Sequence, residues 1–385
     1  MLASLTITIL IMIMATSVAL ASSDAAVLEG QARALLVWKD SIDNQSQQAL
    51  RSWGNTPAPC NWRGITCGTG VHRHRPVIND ISLRGMRLRG ALESLNFSAL
   101  RNLTRLDLSH NLLAGSIPPS IEVLGELHAL LLQGNQIRGS IPLGLGNLTK
   151  LHSLMLHEND LSGEIPSQIG NMSRNLTKLT TLSLRNNQLS GLIPKKLDCL
   201  SNLQYLSLSE NILSGSIPNS IRNLTKLTTL SLHNNQLSGL IPQELDFLTN
   251  LEYLDLSENI FSGSIPNCIG NLTKLTIFYL YSNQLSGHIP RELGRLVNLE
   301  DLELSDNTLT GSIPNSIGNL IKLTALYLDS NQHSGHIPRE LGYLGNLEEL
   351  NLSNSTLRAS TIELSQRAVT NKLVYFCLVG GKRRG

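Results

Sequence analysis

The stretch NLTKLTTLSLRNNQLSGLIP occupies residues 175–194, and it returns as NLTKLTTLSLHNNQLSGLIP at residues 223–242 with one change, Arg185 to His233. Both copies contain the pattern L-x-x-L-x-L-x-x-N-x-L-x-G-x-I-P, which recurs from Leu103 onward. The Asn of this pattern advances by 24 residues, with one step of 28, through Asn111, Asn135, Asn159, Asn187, Asn211, Asn235, Asn259, Asn283, Asn307 and Asn331. The chain is therefore built on a short internal repeat.

Looser copies flank the regular ones. Residues 78–92 read INDISLRGMRLRGAL, with Met86 in the Asn position, and residues 347–360 read LEELNLSNSTLRAS, with Ser355 there, so about twelve units cover residues 77–358. A period of 20–29 residues with this consensus is the signature of leucine-rich repeats. We therefore predict a leucine-rich-repeat solenoid, a curved right-handed stack with a parallel β-sheet on its concave face and an N-terminal cap made of a helix and a disulfide loop.

The spacing of the pattern explains the fold. L-x-L is a short strand whose two Leu point one way while the residue between them points the other way. One unit cannot bury its Leu set alone, but stacked units bury them continuously. The repeated Asn can donate to and accept from backbone groups that would otherwise be buried unpaired.

The ends of the chain differ from the repeats. Residues 1–21 are predicted to be a signal peptide, because Leu5 to Leu20 is almost wholly apolar and small residues precede Ser22. The alternative is an uncleaved membrane anchor, and either one directs the chain to the secretory pathway, toward the extracellular space or the cell surface. Residues 359–385 break the repeat and are predicted to be an irregular, disordered tail.

Residues 22–76 are predicted to form the N-terminal cap that covers the first repeat. Glu29–Ile42 has helical character, and Cys60 and Cys67 are close enough in sequence to close a small loop in an oxidising compartment. Cys199 and Cys268 sit at different positions in their repeats, so we expect them to be buried free thiols rather than partners.

N-x-S/T sequons can be glycosylated in a protein that enters the secretory pathway, so those of this chain predict a glycosylated surface. The candidate glycosylation sites are Asn44, Asn96, Asn102, Asn147, Asn171, Asn175, Asn223, Asn271, Asn351 and Asn354.

Composition and motifs argue against several functional classes. The net charge is +2 and charged residues are 16% of the chain, which is unlike a nucleic-acid binder. His72 and His74 have no spaced ligands beside them, so we predict neither a metal nor a cofactor. The acids at residues 300–306 are expected on an open surface that would not desolvate them, and kinase motifs are missing. An enzyme is not predicted.

The outward strand positions are free of packing in this interpretation, so their side chains can be chosen for a partner. Five of the seven Tyr fall there, and acids cluster in the last third. Tyr joins apolar area to a polar tip and is enriched at interfaces. The candidate ligand-binding residues are Arg185, Tyr205, His233, Tyr253, Asp255, Tyr279, Tyr281, Asp301, Glu303, Tyr327 and Asp329.

The single changed letter falls on this face. Four copies of a 48-residue unit begin at residues 175, 223, 271 and 319, and at one outward position they contain Arg185, His233, Tyr281 and Asp329. Variation at an outward position is what a graded recognition surface predicts. Neutral drift after duplication is the alternative.

The sequence resembles the extracellular region of plant leucine-rich-repeat receptor-like kinases over residues 25–357. The motifs are ALLVWKDSI, LRSW, PCNWRGITC and the L-x-G-x-I-P repeat. The alternation of IPNSIGNLIKL with IPRELGRLVNL most resembles the male-discoverer-interacting type. The resemblance implies an extracellular module that binds a peptide or protein ligand, with a co-receptor ectodomain as a further candidate partner; the kinase and membrane span of that family have no counterpart in this sequence.

Two alternatives stay open at this point. Polygalacturonase-inhibiting proteins use a similar solenoid to inhibit secreted cell-wall hydrolases, although they generally end in a paired-Cys cap that is missing here. The irregular tail also keeps open a truncated gene product.

Overall fold

The structure, a computed structural model, describes residues 26–54, 58–69, 76–170 and 178–358. These residues form two compact units that divide between Asp160 and Leu161. The predicted signal peptide and tail, His72, His74, and the sequons at Asn171 and Asn175 lie outside the described residues.

The first unit begins with a helical cap. Residues 26–41 are helical (α1), and α2 spans Asn44–Ala49, where the Asp43 carboxylate accepts a hydrogen bond from the Ser46 amide at 2.8 Å. Such a side-chain acceptor satisfies a free N–H at a helix start. Gln31 of α1 is fully buried and exchanges two hydrogen bonds with the backbone of Ile78. The cap helix is therefore fixed to the first long strand.

Aromatic packing and a disulfide complete the cap. The rings of Trp38, Trp53 and Trp62 form a buried row, with centroids 6.2 Å and 5.7 Å apart along it. Cys60 and Cys67 are joined in a disulfide, which confirms the predicted pairing.

The first unit carries a parallel sheet, with one strand pairing antiparallel at its start. Its strands are β1 (Ile65–Thr69), β2 (Pro76–Ser82), β4 (Arg105–Asp107), β6 (Ala129–Leu131) and β8 (Ser153–Met155), and β1 is the antiparallel strand, pairing with β2. Short strands on the other side of the repeats are β3 (Arg89–Ala91), β5 (Leu112–Ala114) and β7 (Arg138–Gly139). The 3-10 helices are η1 (Pro59–Asn61), η2 (Phe97–Ala99), η3 (Pro119–Val123) and η4 (Leu143–Asn147).

The second unit repeats the same plan. Its main parallel sheet consists of β10 (Thr181–Ser183), β12 (Tyr205–Ser207), β14 (Thr229–Ser231), β16 (Tyr253–Asp255), β18 (Ile277–Tyr279), β20 (Asp301–Glu303), β22 (Ala325–Tyr327) and β24 (Glu349–Asn351). Its second set is β9 (Asp160–Glu164), β11 (Gln188–Leu192), β13 (Ile212–Gly215), β15 (Gln236–Leu240), β17 (Ile260–Gly263), β19 (Gln284–His288), β21 (Thr308–Gly311), β23 (Gln332–His336) and β25 (Thr356–Arg358). The 3-10 helices are η5 (Ser167–Ile169), η6 (Lys195–Cys199), η7 (Asn219–Asn223), η8 (Gln243–Phe247), η9 (Asn267–Asn271), η10 (Arg291–Arg295), η11 (Asn315–Asn319) and η12 (Arg339–Tyr343).

From β10 to β24, neighbouring main strands pair in register, 24 residues apart. Leu206, Leu230 and Leu254 are successive partners across β12, β14 and β16, and their exposure is at most 1%. Identical spacing places like residues on top of one another, so the Leu positions form one core in each unit. This stacking confirms the predicted leucine-rich-repeat fold.

The repeated Asn ties each repeat to the one before it. The Nδ2 group of Asn259 donates to the carbonyls of Leu256 and Ser257 in its own repeat and of Leu232 in the preceding one, at 2.9–3.3 Å. Its Oδ1 atom accepts from the Leu237 amide at 2.9 Å. The amide thus pairs four backbone groups, as its donor and acceptor atoms predict.

Candidate ligand-binding face

Each repeat of the second unit presents outward side chains on one side of its main sheet. The strand Tyr253–Asp255 places Leu254 inward with no exposed surface, and the residues on either side of it point the other way. A further outward position follows two residues after each strand. We call the outward side of β10 to β24, with these following positions, the strand face.

Three of the five candidate tyrosines are in contact on this face. The ring centroids of Tyr253 and Tyr279 are 6.2 Å apart, as are those of Tyr279 and Tyr281, and both pairs meet edge to face. Tyr205 lies two strands before Tyr253, and Tyr327 lies two strands after Tyr279. The structure brings three tyrosines together and leaves one on either side of them.

The hydroxyl groups of these tyrosines are held by carboxylates. Tyr279 donates to Asp301 at 2.6 Å, and Tyr281 donates to Glu258 at 3.1 Å. Tyr327 donates to Glu349. Burial, together with the nearby carboxylate of Asp301, raises the pKa of Tyr279. The phenols therefore stay neutral and their rings are fixed in orientation.

Charged side chains at the start of the strand face form a compensated network. Glu210 accepts from Arg185 at 2.7 Å and lies 3.4 Å from His233 Nε2, while His233 Nδ1 lies 3.0 Å from Asp255. The hydrogen bond to Asp255 is the main reason why the pKa of His233 is raised. The one position that differs between the two copies therefore places a guanidinium (Arg185) and an imidazole (His233) against the same carboxylate, that of Glu210.

The expectation that outward positions are free of packing fails at Asp255. Its exposure is only 4%, and its carboxylate accepts hydrogen bonds from Tyr253 and from the Ser257 amide besides its contact with His233. Asp255 lies between Ser231 and Tyr279 of the two neighbouring strands. It orients Tyr253 and His233 instead of presenting a free carboxylate.

The later acids of the strand face are not compensated. Asp301, Glu303 and Asp329 all have a raised pKa with burial as the main cause, and no cationic side chain of the described residues contributes to any of these shifts. Burial, with the nearby carboxylates of Asp301, Asp329 and Asp255, raises the pKa of Glu303 to about 7. An unpaired, partly desolvated carboxylate favours any arriving cation.

Two sequence-based expectations are wrong here. The acids at residues 300–306 were expected to stay fully solvated, yet Glu303 is half-buried because Tyr279 and Tyr327 flank it along the sheet. The free cysteines were expected to be buried, yet Cys199 is exposed and Cys268 is partly exposed. Both cysteines lie on 3-10 helices, at positions that turn away from the core.

Sequence reasoning missed Glu210 and Glu258. They lie outside the strands, immediately before the repeated Asn, where the backbone has φ values of 54° and 51°. From that left-handed turn, Glu210 reaches Arg185 of the preceding repeat and Glu258 reaches Tyr281 of the following one. Their recurrence 48 residues apart, in step with the duplicated unit, was the signal that could have identified them.

Most of the candidate glycosylation sites among the described residues are exposed to solvent. Asn44, Asn96, Asn147, Asn223, Asn271 and Asn354 are exposed, and Asn102 and Asn351 are partly exposed. In the part of the chain that the structure describes, no three His, Cys, Asp or Glu are grouped so as to hold a metal ion. No helix among those residues is long and apolar enough to cross a membrane.

Models of known families match this arrangement. The leucine rich repeat N-terminal domain matches residues 28–68, and leucine rich repeat models match residues 102–124, 150–172, 178–200, 202–224, 225–285 and 298–320. Together these matches span more than half of the chain.

The chain is a leucine-rich-repeat protein.

This leucine-rich-repeat protein is homologous to the ectodomains of plant receptor-like kinases. It is 39% identical over 104 residues to the leucine-rich repeat receptor-like serine/threonine-protein kinase RGI4 of Arabidopsis thaliana, and 40% identical over 93 residues to MDIS1-interacting receptor like kinase 2 of the same plant. The matches cover 27% and 23% of this chain, but only 9% and 8% of those relatives.

A solved structure extends the similarity over most of the chain. The structure of PEPR1 with AtPEP1 superimposes with a TM-score of 0.71 at 33% identity, covering 86% of this chain and 49% of PEPR1. The present chain thus spans about half of the PEPR1 chain and about a tenth of the kinase relatives.

Proposed function

We propose that this chain is an extracellular recognition module of the receptor-ectodomain type, whose strand face binds a peptide or protein ligand in signalling at the plant cell surface. One observation carries the proposal: Tyr253, Tyr279 and Tyr281 contact one another beside carboxylates that have no cationic partner among the described residues. Aromatic side chains such as Tyr are enriched at protein interfaces, and charge on one surface attracts a partner of opposite charge.

The chemistry of this face selects a basic, partly apolar ligand. The tyrosine rings offer apolar area, and their faces attract a guanidinium or ammonium group. Asp301, Glu303 and Asp329 supply negative charge beside the rings. A ligand with an Arg or Lys next to an apolar side chain satisfies both features.

Charge along the strand face gives the ligand a direction. The carboxylates near Arg185 and His233 are already paired, whereas those near Asp301 and Asp329 are not. Complementary charge steers association and fixes register. The basic end of the ligand should therefore lie over the later repeats.

The homology supports a receptor role. The relatives are named as receptor-like kinases, and PEPR1 was solved with AtPEP1. Within that family, the repeat motifs favour the MDIS1-interacting type, with secretory delivery, glycans on the exposed sequons and a co-receptor as second partner. These finer assignments are part of the proposal.

Selection from a random library tests the proposal without knowing the natural ligand. The full chain is immobilised and panned against phage-displayed random 15-residue peptides. We expect enriched peptides to combine Arg or Lys with aromatic or aliphatic residues, and to be lost when Tyr279, Tyr281 and Tyr327 are replaced by Ala. Enrichment that survives this replacement would contradict the proposed face.

The alternative of a hydrolase inhibitor is tested separately. The full chain is incubated with a panel of fungal polygalacturonases, and release of reducing sugar from pectin is measured. We expect no inhibition. Inhibition at submicromolar protein concentration would place the inhibitor function ahead of the receptor function.

A further inference from the structure

One buried position near the end of the second unit departs from the repeat. His333 occupies the place that holds an apolar side chain in the six preceding repeats, and its exposure is 0%. The corresponding residues, all equally buried, are Leu189, Leu213, Leu237, Phe261, Leu285 and Leu309. The titratable imidazole of His333 therefore lies in a column of buried apolar side chains.

The His333 ring has no polar partner of ordinary geometry. Neither Nδ1 nor Nε2 makes a hydrogen bond among the described residues. Burial lowers the pKa of His333, and the carbonyls of Gly311 and Thr310 on β21 oppose this shift only in part. No charged side chain from β21, β25 or the rest of the described chain contributes to the shift. The neutral ring is tolerated in this site, while the protonated ring is not.

The repeat that follows His333 makes fewer hydrogen bonds than the repeats before it. Asn331, two residues before His333, donates to three carbonyls and accepts from the Leu309 amide. Asn307, in the repeat before it, makes hydrogen bonds to the carbonyls of three residues and accepts one from the Leu285 amide. In the last described repeat Ser355 takes the Asn position, and its hydroxyl donates to the Leu352 carbonyl alone. Separating this repeat from the repeat of His333 therefore breaks fewer side-chain hydrogen bonds of this kind than separating two repeats that both carry the Asn.

We propose that His333 is a pH-sensitive switch that loosens residues 332–358 when its buried ring takes up a proton. Opening exposes the imidazole, so a proton from solvent binds Nδ1 or Nε2 in the open state, and the charged ring resists return to the apolar site. Glu349 of the strand face lies within this segment, and Tyr327, whose hydroxyl donates to Glu349, lies just before it. Mild acid therefore disturbs this part of the strand face.

Proton linkage gives the sign of the pH dependence of stability. The folded pKa lies below the ordinary histidine value of 6.5, so the open state binds more protons between these two values. The stability of residues 332–358 is complete above pH 6.5 and falls as the pH decreases toward the folded pKa of His333. At pH 5 the opening equilibrium can rise by at most about thirtyfold, the limit set by an unperturbed histidine.

Hydrogen exchange of the full chain at pH 7, 6 and 5 tests the switch, using protection factors corrected for the intrinsic rate at each pH. The test variant is His333→Leu, which restores the consensus residue, and the matched control is His336→Leu on the same strand, where the ring is exposed. We expect protection of residues 332–358 to fall severalfold between pH 7 and pH 5 in the wild type and in the control. In His333→Leu it should be higher at pH 7 and constant with pH.

The hydrogen-exchange experiment contains its own reference region. Residues 101–160 serve as an internal reference, and their protection should not differ between the proteins. The proposal is overturned if wild type and His333→Leu lose protection equally on acidification, or if the loss is spread evenly over all repeats.

Discussion

At the scale of single residues, the repeated Asn links each repeat to the one before it through backbone hydrogen bonds. Replacing Asn259 by Ala removes its hydrogen bonds to the Leu232, Leu256 and Ser257 carbonyls and to the Leu237 amide. Of these groups, the Ser257 carbonyl keeps a hydrogen bond from the Asn234 amide. We expect a loss of about 2–4 kcal/mol in the free energy of unfolding, measured in urea, because buried polar groups without partners are costly. Asn267→Ala, on an exposed position of η9, is the control and should cost almost nothing. A negligible loss for Asn259→Ala would contradict this account of the ladder.

Glu303 gives the strand face its own pH dependence. Its pKa is raised to about 7, from 4.5 for an unperturbed Glu, so the folded protein holds a proton that a bound cation would displace. Affinity for a basic peptide should therefore increase by up to about tenfold between pH 6 and pH 8. Calorimetric titration at several pH values measures this change. Glu303→Gln should remove it, and a dependence that persists in the variant would assign it to another group.

The role of a residue could be predicted where the repeat determines it, but not where side chains of different repeats contact one another. The hydrogen bonds of the repeated Asn follow from the 24-residue spacing and from the donor and acceptor atoms of its side-chain amide. The burial of Asp255 and the return of Glu210 toward Arg185 depend on neighbouring repeats and on a left-handed turn. The exposed thiol of Cys199 was missed because a free Cys is usually buried, whereas the 3-10 helix that carries Cys199 turns this residue away from the core.

At the scale of elements, the cap is a separable part of the first unit. Replacing both Cys60 and Cys67 by Ser removes the disulfide that closes the loop beside Trp62. We expect about 2 kcal/mol of local destabilisation, since a short loop gains modest chain entropy when it is released. Hydrogen exchange should increase in residues 26–69 and stay unchanged in residues 178–358. Cys199→Ser is the matched control, and an equal effect throughout the chain would contradict a local cap.

The main strands could be predicted from the sequence, but the second set of strands could not. L-x-L alternation with a 24-residue period predicts a strand such as Tyr253–Asp255 directly. The segment Gln236–Leu240 carries no comparable signal within one repeat. It becomes a strand because stacking brings the neighbouring segments within hydrogen-bonding distance. The cap helix was foreseen from its apolar residues, whereas its buried Gln31 was not.

At the scale of the molecule, the strand face of the second unit sets the length of ligand it can hold. Tyr205 and Tyr327 lie five strand spacings apart in the sheet, which is about 24 Å at about 4.8 Å per strand. About seven extended residues, at about 3.3 Å each, cover that distance. Peptides shortened below this length should lose affinity stepwise as tyrosine contacts are removed, and fluorescence polarisation with a truncation series measures the loss. Equal affinity for a three-residue fragment would argue for a single pocket.

The central claim is that ligand recognition takes place on the strand face. Its most direct test is calorimetric titration of one selected basic peptide into four forms of the full chain. These are the wild type, the variant with Tyr279, Tyr281 and Tyr327 changed to Ala, Tyr343→Ala, and the variant with Lys195 and Lys196 changed to Ala. Tyr343 is an exposed tyrosine on η12, and the two lysines are exposed on η6, so both controls lie off the strand face.

We expect the triple variant to bind at least about tenfold more weakly, a loss of about 1.4 kcal/mol, because partly buried aromatic side chains carry most interface energy. Circular dichroism should remain unchanged, since these rings point away from the Leu core. Tyr343→Ala and the lysine variant should bind as the wild type does. Normal binding by the triple variant, with binding abolished by either control, would contradict the account.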